Sequence, residues 1–296
     1  MTRTVQKSIV MIFAFVAALA LVACSSDDEP TISTVAVTAA DFSFTLPATV
    51  EGGLTRIEMT NAGQDSHHMQ ILKLNDGVSQ ADFQTTIQGV IQSLPEQGEA
   101  ALFQIFEVAA LAGGPSGAAP GGQSTAIVDL KAGEYTLVCF IAGADGVPHV
   151  AKGMVQAVTV TAPTGDAPAA PESYASVDLI DYAFLGVPVS LPTGETTLKV
   201  TNKGQEPHEF TVLKLEGITA EQALALFTAP PSDAAPAGPP PFSDAGGFQA
   251  ILPGDSGYAV LNLEAGNYFT LCFVPSPVNE FALHMVLGMT LSFTVE

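Results

Sequence analysis

The chain carries five histidines and three cysteines, and most of them recur at matching places in two halves of the sequence. His67 closes the run Thr60-Asn61-Ala62-Gly63-Gln64-Asp65-Ser66, and His208 closes Thr201-Asn202-Lys203-Gly204-Gln205-Glu206-Pro207. Cys139 follows Leu130-Lys131-Ala132-Gly133-Glu134-Tyr135, as Cys272 follows Leu263-Glu264-Ala265-Gly266-Asn267-Tyr268. His149 and Met154 then recur as His284 and Met289, with a glycine before each methionine. Imidazole, thiolate and thioether are the side chains that hold soft and borderline metals. A thiol can also pair as a disulfide or sit buried as a small hydrophobe. All three uses of Cys139 and Cys272 are open at this point, although a disulfide would require the matching strands of two units to meet.

The elements that must position these groups come from one duplicated unit. Offsets between equivalent residues are 141 at the first histidine, 133 around the cysteine and 135 at the methionine, so only loop lengths differ. Thr55 to Thr60 and Thr196 to Thr201 alternate with period two, as half-buried strands do. Tyr135 to Phe140 and Tyr268 to Phe273 are denser apolar runs, as central strands are. The linker Ala162-Pro163-Thr164-Gly165-Asp166-Ala167-Pro168-Ala169-Ala170-Pro171 has no core-forming residues. The expected organisation is a signal at 1–24, a tether at 25–33, one unit at 34–162, a linker at 163–173 and a second unit at 174–296.

Each unit also holds an insertion between its first histidine and its cysteine. Ser79-Gln80-Ala81-Asp82 and Thr219-Ala220-Glu221-Gln222 read as helix N-caps with a polar residue three positions on. Phe83, Ile87, Val90, Ile91 and Leu94 recur at helical spacing, a stripe expected to pack on the sheets. The Gly/Pro/Ala tracts at 112–122 and 229–241 read as flexible loops.

Composition narrows the function further. With 30 acids against 9 lysines and arginines the net charge is −21, which excludes nucleic acid as a partner. Arg3 and Lys7 precede an apolar stretch from Ile9 to Val22 that is short for a membrane span. Leu21-Val22-Ala23-Cys24 then resembles a bacterial lipobox, which implies cleavage, lipidation at Cys24 and an extracytoplasmic, membrane-anchored protein. The mature chain then has only two thiols, too few for a disulfide-stapled fold.

Strand-rich repeats, a histidine after an Asn-x-Gly turn and a C-terminal Cys…His…Met loop together resemble the cupredoxin, or blue copper, family. The resemblance covers nearly all of the chain after Cys24, twice. It implies an all-β chain of two tandem Greek-key β-sandwich domains, each with a short helical insertion. It further implies one mononuclear type 1 copper per domain, held by His67, Cys139, His149 and Met154 and by His208, Cys272, His284 and Met289. Thiolate and two imidazoles suit both Cu(I) and Cu(II), and a weak axial thioether raises the potential. The cysteine-to-histidine spacing is ten in the first unit and twelve in the second; the first loop looks like the longer type 1 loop of copper nitrite reductases. His68, with Glu209 as its counterpart, is expected in an outer or surface role.

The function expected from this resemblance is electron transfer with a redox partner, which the acidic surface would favour as basic. With one spare histidine, no trinuclear cluster can form within the chain, and the chain is expected not to be an enzyme. Copper delivery without redox turnover and a metal-free interaction module are the alternatives.

Overall fold

The computed structural model describes residues 30–229 and 238–296. The lipobox, Cys24 and the first part of the tether lie outside them, as does most of the tract 229–241.

Both units are β-sandwiches, and the alternation in the sequence is what builds them. In Gly53–Asn61 and Gly194–Asn202 every second side chain is buried and its neighbours face outward. Each pairs in parallel with an N-terminal strand, Ser33–Ala40 or Ala175–Ile180. The opposing five-stranded sheets place Gly133–Val138 and Gly266–Leu271 centrally. Their last four residues are fully buried, as apolar runs flanked by strands on both sides must be.

The insertions form as the capping signals require. Ser79 and Thr219 accept from the amides three residues on, and Asp82 and Gln222 return hydrogen bonds to the cap amides. Phe83, Ile87 and Val90 of the helix Gln80–Gln97 are buried in the core, with Ile91 and Leu94 packed on its edge. The second helix, Ala220–Thr228, is half as long.

The two domains are not separate beads, despite the Pro/Ala linker. Gln123–Leu130 of the first pairs antiparallel with Ser256–Leu263 of the second, so one eight-stranded sheet runs through both. A second seam joins Ala112 to Ile251, Pro115 to Phe248 and Ala118 to Ala245. The tract 112–122, read from sequence as a flexible loop, is therefore for the most part buried interface: residues 113–118 have almost no exposed surface. Glycine there permits close approach; Gly114 lies at φ 130° and Gly247 at φ 123°, each directly beneath a carbonyl of the neighbouring strand.

Both seams are self-complementary. Ala126 faces Ala259 and Pro115 faces Phe248, and each pair consists of equivalent positions in the repeat. Such pairing places a pseudo-two-fold axis through both seams, as in an isologous dimer, here joined into one chain.

Candidate metal centres

The turn before each first histidine is set by an asparagine. The Asn61 side chain accepts from the Gly63 amide at 2.8 Å and donates to the carbonyls of Asp65 and Ala118. Asn202 makes the same bonds to Gly204, Glu206 and Ile251. No larger residue fits at the glycine, because a Cβ there would run into an aspartate and the histidine ring. His67 and His208 thus leave the turn pointing inward, fully buried.

Cys139 and Cys272 end the central strands, also fully buried and free of any disulfide. The chain then loops out and is clamped back. Val150 donates to the Cys139 carbonyl at 2.8 Å, His149 to Ile141 and Met154 to His149. Met285, His284 and Met289 repeat this with Cys272, Val274 and His284. The two extra residues of the second loop fall in the excursion between the bridged Pro275 and Leu283, so they leave the clamp unaltered. Met154 and Met289 are buried in the same loops.

The result is two equivalent donor clusters. In the first, His67 Nδ1 lies 3.1 Å from His149 Nδ1, which is 3.5 Å from Cys139 Sγ. In the second, the corresponding distances are 2.9 Å and 3.5 Å. Each His–Cys–His set is wholly buried, with all donor atoms within 4.8 Å. The two-domain architecture, with one such cluster where the last strands meet the first-histidine turn, decides the fold type. The fold is cupredoxin-like.

No family model matches the chain, and no curated protein matches it. Solved structures that it resembles include a reduced auracyanin from Roseiflexus castenholzii, at 21% identity over 41% of this chain and 94% of that one, TM-score 0.29. A multicopper oxidase matches at 17% identity over 89% of this chain and 88% of its own, TM-score 0.24. A copper-containing nitrite reductase from Thermus scotoductus matches at 12% identity over 89% and 61%, TM-score 0.25. These likenesses also correct one expectation. Oxidases and a reductase stand among the cupredoxin-like matches, so the inference that this chain is not an enzyme does not hold. The histidine count on which it rested limits only sites completed within one chain.

Carboxylates, which the motif reading passed over, complete both centres. His67 Nε2 is 2.8 Å from Asp41, and His208 Nε2 is 2.9 Å from Asp181. The signal was present as a further repeat, Asp41-Phe42-Ser43-Phe44 over Asp181-Tyr182-Ala183-Phe184, but these acids do not stand out among 30. Phe42 and Tyr182 pack against the rings of His149 and His284. His68 Nε2 accepts from the Phe140 amide at 2.8 Å, and Glu209 accepts from Phe273 in the same way. Desolvation first, then the imidazoles of His149 and His67, hold His68 down to about 3, so it is a neutral acceptor.

The centres differ at the second histidine. His284 Nε2 lies 2.8 Å from the buried carboxylate of Glu206, which also accepts from Ser276 and Tyr182. His149 Nε2 has no hydrogen-bond partner, and the half-exposed Asp65 stands 3.5 Å away.

The second centre tests whether a cation fits. Carboxylates accept only, so Asp181 and Glu206 place the imidazole protons on Nε2 of His208 and His284. The two neutral rings then aim bare Nδ1 lone pairs at each other across 2.9 Å. A further proton does not relieve this, because desolvation lowers the pKa of both rings. A metal cation among Nδ1, Nδ1 and Sγ does. It would also reverse the effect of burial on the thiols, which pushes Cys139 up to about 12 and Cys272 well above its ordinary value.

Proposed function

We propose that this chain is a copper-binding electron-transfer protein with one mononuclear type 1 centre in each domain. His67, Cys139, His149 and Met154 would hold one copper, and His208, Cys272, His284 and Met289 the other. The observation that carries the reading is the pair of opposed, carboxylate-locked imidazoles beside a buried thiol. Thiolate with two imidazoles selects copper over harder divalent ions. Bound copper would supply a one-electron couple.

The protein's own contribution is a stiff, dry frame. Asp41 and Asp181 fix which ring nitrogen carries the proton and hold the ring orientation. The clamps from Val150 and Met285 tie each histidine loop to its cysteine, so the donors have little freedom to move when charge changes. Fully buried donors exclude water and favour retention of the metal over its delivery. We further propose that the chain is lipid-anchored through Cys24 outside the cytoplasm and meets a basic redox partner, in keeping with its net charge of −21.

Titration of the metal-free protein with Cu(II) tests this. Two equivalents should bind with an intense visible thiolate-to-copper band. Cys139→Ala and Cys272→Ala should each remove about half of it. Failure of the wild-type protein to develop that band would sink the proposal.

A further inference from the structure

The seam between the domains connects the two centres as well as the two sheets. At the first centre, the backbone of His67 donates to Ala118 at 3.2 Å and accepts from it at 2.8 Å. Ala118 is bridged to Ala245, and the Gly246 amide donates to Gly117 at 3.0 Å. At the second centre, His208 pairs with Ile251, and Ile251 is bridged to Ala112. Segment 112–118 therefore begins beside one first histidine and ends beside the other, and segment 245–251 does the same in reverse. The Gly113 amide bonds to Ala250, the Gln249 amide to Gly114, and the Gln249 side chain to Ser116, so the two run as one hydrogen-bonded ribbon. Each spans six residue steps, at most about 20 Å for extended backbone, and the glycine kinks shorten it. Electron tunnelling falls steeply with distance and is favoured by continuous covalent and hydrogen-bonded contact, which this ribbon offers by two symmetry-related routes.

The symmetry is broken where direction is decided. A carboxylate bonded to a ligating imidazole makes it a stronger donor and favours the more highly charged, oxidised metal. Both first histidines have such a partner, but of the second histidines only His284 does. Glu206 and Glu209 are also nearly inaccessible, at 8% and 6% exposure, whereas Asp65 beside the first centre is 41% exposed and faces water. The first centre has one partly buried acid of its own from the other domain, Asp244 against Gly117, and the position of Glu209 is taken there by the neutral His68. Lys152 also lies near the first centre, over Phe42.

We propose that the chain is an intramolecular one-electron relay, in which an electron held at the second centre passes to the first along the paired segments 112–118 and 245–251. The proposal rests on the copper reading above. The transfer oxidises the metal of the second centre by one electron and reduces that of the first by one; no bond forms or breaks and no proton is required.

The experiment uses the full, copper-loaded chain under anaerobic conditions, with the band and midpoint potential of each centre assigned from Cys139→Ala and Cys272→Ala. A light flash with a photoreductant delivers less than one electron per chain. The expected result is recovery of the second-centre band as the first-centre band bleaches, with a first-order rate unchanged by serial dilution. Glu206→Gln, which keeps shape and acceptor but removes charge, should narrow the gap between the two midpoint potentials. A rate that scales with protein concentration, no redistribution, or final reduction of the second centre would overturn the relay while leaving the copper reading intact. Absence of any thiolate-to-copper band in the wild-type chain would overturn both.

Discussion

At the residue scale, the two centres differ most in what stands beside the first histidine: neutral His68 in one and Glu209 in the other. The pair was visible in the repeat, but its role was not, because adjacency in sequence says nothing about which amide a side chain will reach. In the folded protein both accept from the amide after the cysteine and so hold the end of the central strand. Glu209 does this from a desolvated position, which pushes its pKa up to about 7 from an ordinary 4.5. A carboxyl raised in the folded state contributes stability that is fully present below its unfolded pKa and is lost as pH rises through the folded one. The metal-free protein should thus lose stability between about pH 4.5 and pH 7 on this account. Glu209→Gln should flatten that part of the profile, with thermal midpoints measured across the range as the check. An unchanged slope would show that the carboxyl is not buried as described.

At the scale of elements, the glycine-rich tract of the first domain shows how composition can mislead. Gly, Pro and Ala over ten residues read as a loop, yet here the small side chains let two backbones cross closely. Gly247 sits at φ 123° with the Phe210 carbonyl directly above its Cα, one strand away from His208. Gly247→Ala should cost about 2 kcal/mol or more, from left-handed backbone strain plus the steric contact. Denaturant unfolding of the variant measures this; a midpoint equal to wild type would mean that the strands do not approach as closely as they do here. The helices, by contrast, were legible to their first residue, since capping boxes and apolar spacing are local properties.

At the scale of the whole molecule, the duplication has become an internal dimer. One hydrophobic core contains Val37 and Met59 of the first domain together with Phe210 and Phe248 of the second. Neither domain can unfold without breaking the shared sheet and exposing that core to water. Calorimetry of the full chain should accordingly show a single transition, with van't Hoff and calorimetric enthalpies in agreement. Two resolved transitions would mean that the seam contributes little.

What the sequence by itself determined is local or repeated: the strand alternation, the helix caps, the duplicated unit, and the donor residues, whose types and order recur in register. These are legible because period, capping and donor chemistry depend on residue identity over short spans. Only the tertiary structure decided that Asp41, Asp181 and Glu206 are partners of the histidines, that the second domain stands against the first-histidine turn of the first, and that the spacings of ten and twelve residues close into the same clamp. Each of these depends on which strands lie side by side, and strand neighbours come from burial summed over the whole chain. The donors were therefore readable as residues, but their carboxylate partners and the ribbon between the centres exist only once the sheets have paired.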